Sequence, residues 1–230
     1  MKKIFALLPL VAVLGLTGCG KDKEGDGDNS EGENIAVLEK NEAEVEAKIS
    51  ELAVEGLEIS FEAKEEGEEA ESTTTAGMKA GYLWIYSGTS KSMYYVTENS
   101  VLDFTYNTDE QIFERADEPL PLEVDAATYT KALTATFAYN FTYANKYDAL
   151  SGFTKVKETT YLNRPATEYK YHRNVSGLAV VDYDLIVDKE TGITLYWMIH
   201  GADYTGESGG ASYEVKTFKT GADVTVPNHN

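Results

Sequence analysis

No disulfide can brace this chain, because its 230 residues include one cysteine, Cys19. Even in an oxidising compartment the hydrophobic core alone must hold the fold. Histidines number three, His172, His200 and His229, and none has a second histidine or a cysteine at metal-ligand spacing, so no metal centre is expected. Basic residues are scarce: 20 Lys and Arg against 39 Asp and Glu leave a net charge of −19. Nucleic acid, which requires a basic surface, is excluded as a partner. The sequence also lacks a glycine-rich phosphate loop of the Walker or dinucleotide type, and no cofactor is expected. Beyond the first residues, no stretch is apolar enough to cross a membrane as a helix.

What is present begins at the amino end. Lys2 and Lys3 precede an apolar stretch from Ile4 to Leu16, the layout of a secretory signal peptide over residues 1–18. Those 13 residues fall short of the roughly 20 that span hydrocarbon. Leu16-Thr17-Gly18-Cys19 resembles the lipobox of bacterial lipoproteins, in which the cysteine becomes the acylated first residue of the mature chain. That resemblance implies a protein of the cell envelope, lipid-anchored to a bacterial membrane through Cys19, on the periplasmic or the surface side of the outer membrane in a Gram-negative cell. Residues 19–34 then form the lipidated end and an acidic linker, too polar to bury surface against the entropy of ordering. Asp22, Asp26 and Asp28 do not make a calcium loop, since counting from Asp26 puts Glu31 and Val37 where the turn glycine and closing glutamate belong. Acid is concentrated here: residues 20–71 carry a net charge of −14 and residues 72–230 only −7.

Residues 35–230 read as one domain. Ile35, Leu38, Val45, Ile49 and Leu52 mark one face of a helix running to Glu55, with Asn34 as N-cap and Gly56 as its stop. From Leu57 the period becomes two, as Leu57, Ile59, Phe61 and Ala63 alternate with polar residues. The acidic run Lys64–Glu71, whose glutamates could hold a divalent ion only weakly, is expected as a hairpin tip or a loose loop. Strands follow over 72–75, 81–86, 93–97, 101–106 and 111–115, an antiparallel meander. After Pro119 and Pro121, the residues Leu122, Ala126, Tyr129, Leu133, Phe137, Phe141 and Ala144 trace a second helix capped by Asp125. Five more strands are expected over 154–162, 167–173, 178–188, 193–200 and 211–219. In the third of these, Ala179, Val181, Tyr183, Leu185 and Val187 should face inward and Asp182, Asp184 and Asp188 outward. Beyond Gly221 the chain is expected to end loosely.

This order of elements resembles the LolA/LolB/LppX-like lipoprotein carriers. Three local pieces are similar as well: Asn163-Arg-Pro-Ala-Thr-Glu-Tyr169, Val187-Asp-Lys-Glu-Thr-Gly-Ile-Thr-Leu195, and Tyr213-Glu-Val-Lys-Thr-Phe218 with Val226-Pro227. Asn163 departs from the glycine expected before the arginine. The resemblance implies an α+β fold, a curved antiparallel β-sheet forming an incomplete barrel, covered by the N-terminal and mid-chain helices over an apolar hollow for lipid.

Catalytic chemistry finds little purchase. Gly206-Glu-Ser-Gly-Gly210 spells G-x-S-x-G, with Asp223 and His229 following in hydrolase order. However, residues 211–218 alternate as a strand, whereas the nucleophile elbow requires a helix after the serine. Ser208 is therefore the least favoured reading, no catalytic residue is assigned, and the chain is not expected to be an enzyme. The 16 tyrosines, 8 phenylalanines and 2 tryptophans favour strands. Trp84, Tyr86, Phe104, Tyr106, Tyr183 and Trp197 are the candidates to line an apolar cavity edged with hydroxyls. The favoured function is a non-enzymatic carrier or sensor for an apolar or lipid-like ligand. The alternative is an envelope interaction protein docking a protein or glycan partner through exposed aromatics.

Overall fold

The computed structural model describes residues 40, 42–70, 72–116, 118–122, 124–130, 154–175, 179–203 and 208–230. All belong to the second of two compact units, 34–230. Helix α1 runs Glu42–Glu55. It buries Val45, Ile49 and Leu52. Ile35 and Leu38 of the expected stripe lie outside the described residues. Gly56 ends the helix at φ +127°, its N–H donating to the Leu52 carbonyl at 2.7 Å. A side chain there would also press on the Gly221 carbonyl at 2.8 Å, so both conformation and space require glycine.

The strands are β1 Leu57–Glu65, β2 Thr74–Lys79, β3 Tyr82–Ser87, β4 Ser90–Val96, β5 Ser100–Asn107, β6 Ile112–Arg115 and β7 Leu120–Pro121, then β8 Thr154–Tyr161, β9 Arg164–Val175, β10 Ala179–Asp188, β11 Thr194–Asp203 and β12 Ser208–Thr220. All pair antiparallel in one unclosed sheet, ordered β6-β5-β4-β3-β2-β1-β12-β11-β10-β9-β8, with β7 beside β5. Two meanders thus meet where the first strand pairs with the last, β1 with β12. Between them, residues 126–130 open a helix. Asp125 caps it, accepting from the Thr128 N–H at 2.9 Å and the Thr128 hydroxyl at 2.7 Å. The rest of that predicted stripe, Leu133 to Ala144, lies outside the described residues.

The second meander curls sharply. In a flat sheet, β8 and β12 would lie four inter-strand steps apart, about 19 Å. Yet the Tyr161 hydroxyl, at the end of β8, donates to Glu214 Oε1 on β12 at 3.1 Å. Bulges in the β1–β12, β10–β11 and β8–β9 ladders supply local bending. Helix α1 lies on β1 and β2 and also abuts the β10–β11 turn, where a Cβ on Gly192 would meet Val45. Val45, Ile49 and Leu52 share one core cluster with Leu57, Ile59, Ala76, Met78, Ala166, Leu195 and Val215.

Three expectations require correction. Asp188 does not face water: its side chain is fully buried, and it takes Arg164 Nε at 2.7 Å and Nη2 at 3.2 Å. Its Oδ1 also accepts the Thr191 N–H and hydroxyl, both at 2.8 Å. The chain beyond Gly221 is not loose. Asn228 and Asn230 accept N–H bonds from Phe113 and Arg115 at 2.9 and 3.2 Å, so the closing segment is hydrogen-bonded to β6. Finally, the strand expected over 72–75 runs from Thr74 to Lys79, through a glycine that interrupts its apolar pattern. The β8–β9 turn meanwhile explains the missing glycine. Leu162 and Asn163 both sit at positive φ, +51° and +60°, as a two-residue hairpin turn demands. Asparagine tolerates that region, so Asn163 can replace glycine.

Breaking the Arg164–Asp188 pair from one side would leave the mostly buried guanidinium with only the exposed Glu190 as a carboxylate partner among the described residues. Asp188→Asn is expected to cost about 3 kcal/mol in urea unfolding. The melting temperature should drop by roughly 6–12 °C. An unchanged unfolding midpoint would mean that the pair contributes no net stability.

Candidate functional site

Strand register assembles the first aromatic group. Lys219, Glu58, Gly77, Trp84, Met93 and Phe104 stand side by side across β12, β1, β2, β3, β4 and β5. Trp84 is fully buried and lies over Gly77, where any Cβ would sit inside the indole. The missing side chain lets the indole Nε1 reach across β2 and donate to Glu58 Oε2 at 3.2 Å. Glu58 Oε1 accepts from Lys219 at 2.6 Å. Tyr86 stacks on Phe113 at 6.0 Å, and Tyr106 meets the same ring edge-on at 5.1 Å. Burial, then the nearby Glu58 charge, pushes the Tyr86 hydroxyl up to about 12. The Lys91 ammonium lies 3.7 Å from the Tyr106 ring centre.

The closing segment covers this face. Val224 is buried within the cluster of Trp84, Met93, Phe104 and Phe113. His229 contacts Tyr82 and Phe104, with ring centres 4.8 and 5.7 Å apart. Its Nδ1 donates to the Pro227 carbonyl at 2.7 Å, leaving Nε2 of the neutral ring to accept from the Tyr82 hydroxyl at 3.1 Å. Trp84, Tyr86, Phe104 and Tyr106 therefore come together, and Trp84 and Phe104 are packed as core.

Tyr183 and Trp197 lie elsewhere. Register places Ala63, Tyr213, Trp197, Leu185 and Tyr169 in a row on the face that also carries Ile59 and Phe61, opposite to Glu58 and Trp84. Trp197 stacks on Tyr213 at 6.2 Å, and Phe61 packs on Tyr213 at 5.0 Å. Tyr183 meets Tyr171 edge-on at 5.5 Å. Tyr213 is buried and its hydroxyl has no hydrogen-bond partner among the described residues. Burial pushes its ionisation well up. The six candidate aromatics thus form two groups on opposite faces of the sheet and do not share one cavity.

Open volume lies at the ends of elements instead. A groove of about 500 Å³ is lined by Ser50, Ala53 and Val54 of α1, by Gly81, by Val96, Thr97 and Glu98 at the β4–β5 turn, and by Ala126, Ala127 and Thr130. A second hollow of about 460 Å³ shares Glu98, Ala126 and Ala127 with it and continues past Asn99, Leu122, Val124 and Asp125. Ala53, Val54, Val96, Ala126 and Ala127 make the apolar wall of the first groove, and Val54 there is 70% exposed. No motif in the sequence points to these residues. The one available signal is that they sit next to the Gly56 stop and the Asp125 cap, where elements end.

The other candidates stay apart. Ser208 is exposed and begins β12 opposite Ala202, so a strand follows it, as the alternation foretold. His172 pairs with Asp182 at 2.6 Å and His200 with Glu66 at 2.9 Å, both on the surface. Among the described residues, no group of three or more His, Cys, Asp or Glu could hold a metal ion.

The Gly77–Trp84 contact gives a direct test of how tightly the first aromatic face is filled. Gly77→Ala should destabilise the chain by about 2–3 kcal/mol through overpacking and shift the tryptophan emission. A neutral substitution would mean that the indole has room to move.

No family model matches this chain, and neither does any curated protein. Several solved structures are similar at low level. The MucA/MucB complex of Pseudomonas aeruginosa matches with 13% identity and a TM-score of 0.33, over 80% of this chain and 58% of that one, so this chain spans under two thirds of that neighbour. LprF from Mycobacterium bovis matches with 10% identity and a TM-score of 0.30, over 81% and 97% of the two chains. A LolA superfamily protein from Nitrosomonas europaea, NE2245, matches with 6% identity and a TM-score of 0.23, over 78% and 93%. Likenesses at this level assign neither family nor function.

Proposed function

We propose that this protein is a lipid-anchored, non-enzymatic component of a bacterial cell envelope that holds an apolar, lipid-like ligand in the groove between α1, the β4–β5 turn and residues 126–130. The observation that carries this reading is the groove itself, about 500 Å³ of open volume walled by Ala53, Val54, Val96, Ala126 and Ala127. That size falls within the range of small-molecule sites. Small residues at the ends of three elements leave the space that larger side chains would fill. An alkyl chain of roughly twelve carbons, half buried there, would gain about 5 kcal/mol. Before the cost of association is subtracted, such a gain limits the Kd to no tighter than the order of 0.1–0.3 mM. Binding of that strength suits a ligand that is picked up and released.

A second reading, docking of a protein partner, draws on exposed apolar residues near the same place. Val54, Val124 and Leu120 are 70%, 49% and 57% exposed. Exposed apolar side chains are a feature of interaction sites where they are contiguous.

Two experiments test the proposal. The first titrates the protein with N-phenyl-1-naphthylamine, an apolar probe that fluoresces on leaving water. Ala127→Trp, which fills the groove, should weaken binding at least tenfold while circular dichroism stays unchanged. Equal binding by this variant would move the ligand out of the groove. The second concerns the anchor. Wild-type protein made in a bacterial host should enter the Triton X-114 phase and carry acyl mass on Cys19, whereas Cys19→Ala should stay in the aqueous phase. A wild-type chain without acyl mass would end the anchoring reading.

A further inference from the structure

Resting on the groove reading above, we infer that the ligand is an amphiphile with a cationic headgroup, a primary amine or its equivalent, and that Glu98 recognises it. Among the described residues, neither hollow has a lysine or arginine in its lining, while Glu98 borders both and Asp125 borders one. Among the described residues, Glu98 makes no ion pair. The lysine of α1, Lys48, is bound to Glu51 at 3.0 Å. The lysine of β2, Lys79, donates to the Gly221 and Val224 carbonyls at 3.1 and 2.7 Å. No cation is therefore placed to neutralise Glu98 from those elements.

An anionic headgroup would meet the opposite of what it needs. The N-terminus of the helix opening at 126 would attract an anion, but the Asp125 carboxylate already takes the Thr128 N–H there. Hydrogen bonds from Thr128 hold the Asp125 carboxyl below the usual carboxylate range, so its charge persists at mildly acidic pH. Because that charge also faces the positive end of its own helix, Glu98 is the larger attraction for a cation. The hydroxyls of Ser50, Thr97 and Thr130 and the amide of Asn99 complete the polar surroundings. The net charge of −19 further favours the approach of cations.

Calorimetric titration can compare three probes that share a twelve-carbon chain, each below its critical micelle concentration: dodecylamine, dodecanoate and dodecyl maltoside. Dodecylamine should bind about fivefold more tightly than the maltoside, the upper range for one exposed charge pair, and dodecanoate more weakly than either. Glu98→Gln should remove the amine's advantage while leaving maltoside binding intact, and high salt should shrink it. Asp109→Asn, at the far end of β5, removes the same charge and should change nothing. Equal affinities, a preference for dodecanoate, or an advantage that survives Glu98→Gln would overturn the cationic headgroup but leave the groove reading standing. Tetralysine binding as well as dodecylamine would also overturn it, since charge alone would then be recognised. Failure of all three probes, or binding that Ala127→Trp does not weaken, would instead remove the groove reading and this inference with it.

Discussion

One ion pair fixes how far the second meander curls. Arg164 opens β9 directly after the β8–β9 turn, and Asp188 closes β10 directly before the β10–β11 turn. Their bidentate contact ties the two turns together. The same guanidinium lies over the Phe218 ring, 4.3 Å from its centre, on β12. It also reaches Glu190 at 3.0 Å. The pair is held inside the molecule because each charge has several fixed partners, which is the condition under which burying charge is tolerable. With these turns held, Tyr161 meets β12, and the β10–β11 turn meets α1 through Gly192 and Val45. An open sheet thereby obtains the tight curvature that a barrel obtains from closure.

A sheet apolar on both faces needs two covers. Helix α1 covers the face bearing Leu57, Ile59, Ala76 and Met78. The closing segment covers the other, placing Val224 against Trp84 and His229 against Tyr82 and Phe104. Its hydrogen bonds to Phe113 and Arg115 also cap β6, an edge that would otherwise present unpaired backbone groups. At the other edge, β8 carries Lys155 and Lys157 and a bulge between them, which discourage pairing with another chain. Both lysines are in turn held by acids, Lys155 by Glu158 of the same strand at 3.2 Å and Lys157 by Glu168 of β9 at 3.3 Å.

Local regularities were legible in the sequence, and long-range partners were not. Period-two alternation revealed most of the strands, since a half-buried strand imposes that pattern on itself. The Gly56 stop and the Asp125 cap were readable because each acts within a few residues. Two-residue β7, containing Pro121, shows no alternation and went unseen. Alternation alone puts Asp188 in water, since it shares its parity with Asp182 and Asp184, while its partner Arg164 lies 24 residues away in sequence. Alternation separates the two faces of one strand but does not say which face of another strand it joins. For that reason Trp84 and Trp197 could be grouped from sequence and yet occupy opposite faces, a distinction that only the β1–β12 register reveals.

The groove was hidden for a different physical reason. Aromatic residues draw attention as ligand contacts because they bring large area, but in a two-faced sheet that same area is the best filler of the core, and here it is spent there. Open volume survives where side chains are too small to close it. Ala53, Val96, Ala126 and Ala127 satisfy that condition, at the ends of elements whose backbones are already fixed. The Ala80 N–H donates to the Ala53 and Val54 carbonyls at 3.1 and 3.3 Å, pinning the end of α1 to the β2–β3 turn. The Val96 N–H bonds to the Gly81 carbonyl at 3.1 Å, pinning β4 to the same turn. Two of the groove's walls are thus held at a set separation by backbone hydrogen bonds, independently of any side chain that lines them. Holding two walls in place in this way lowers the cost of ordering a site between them.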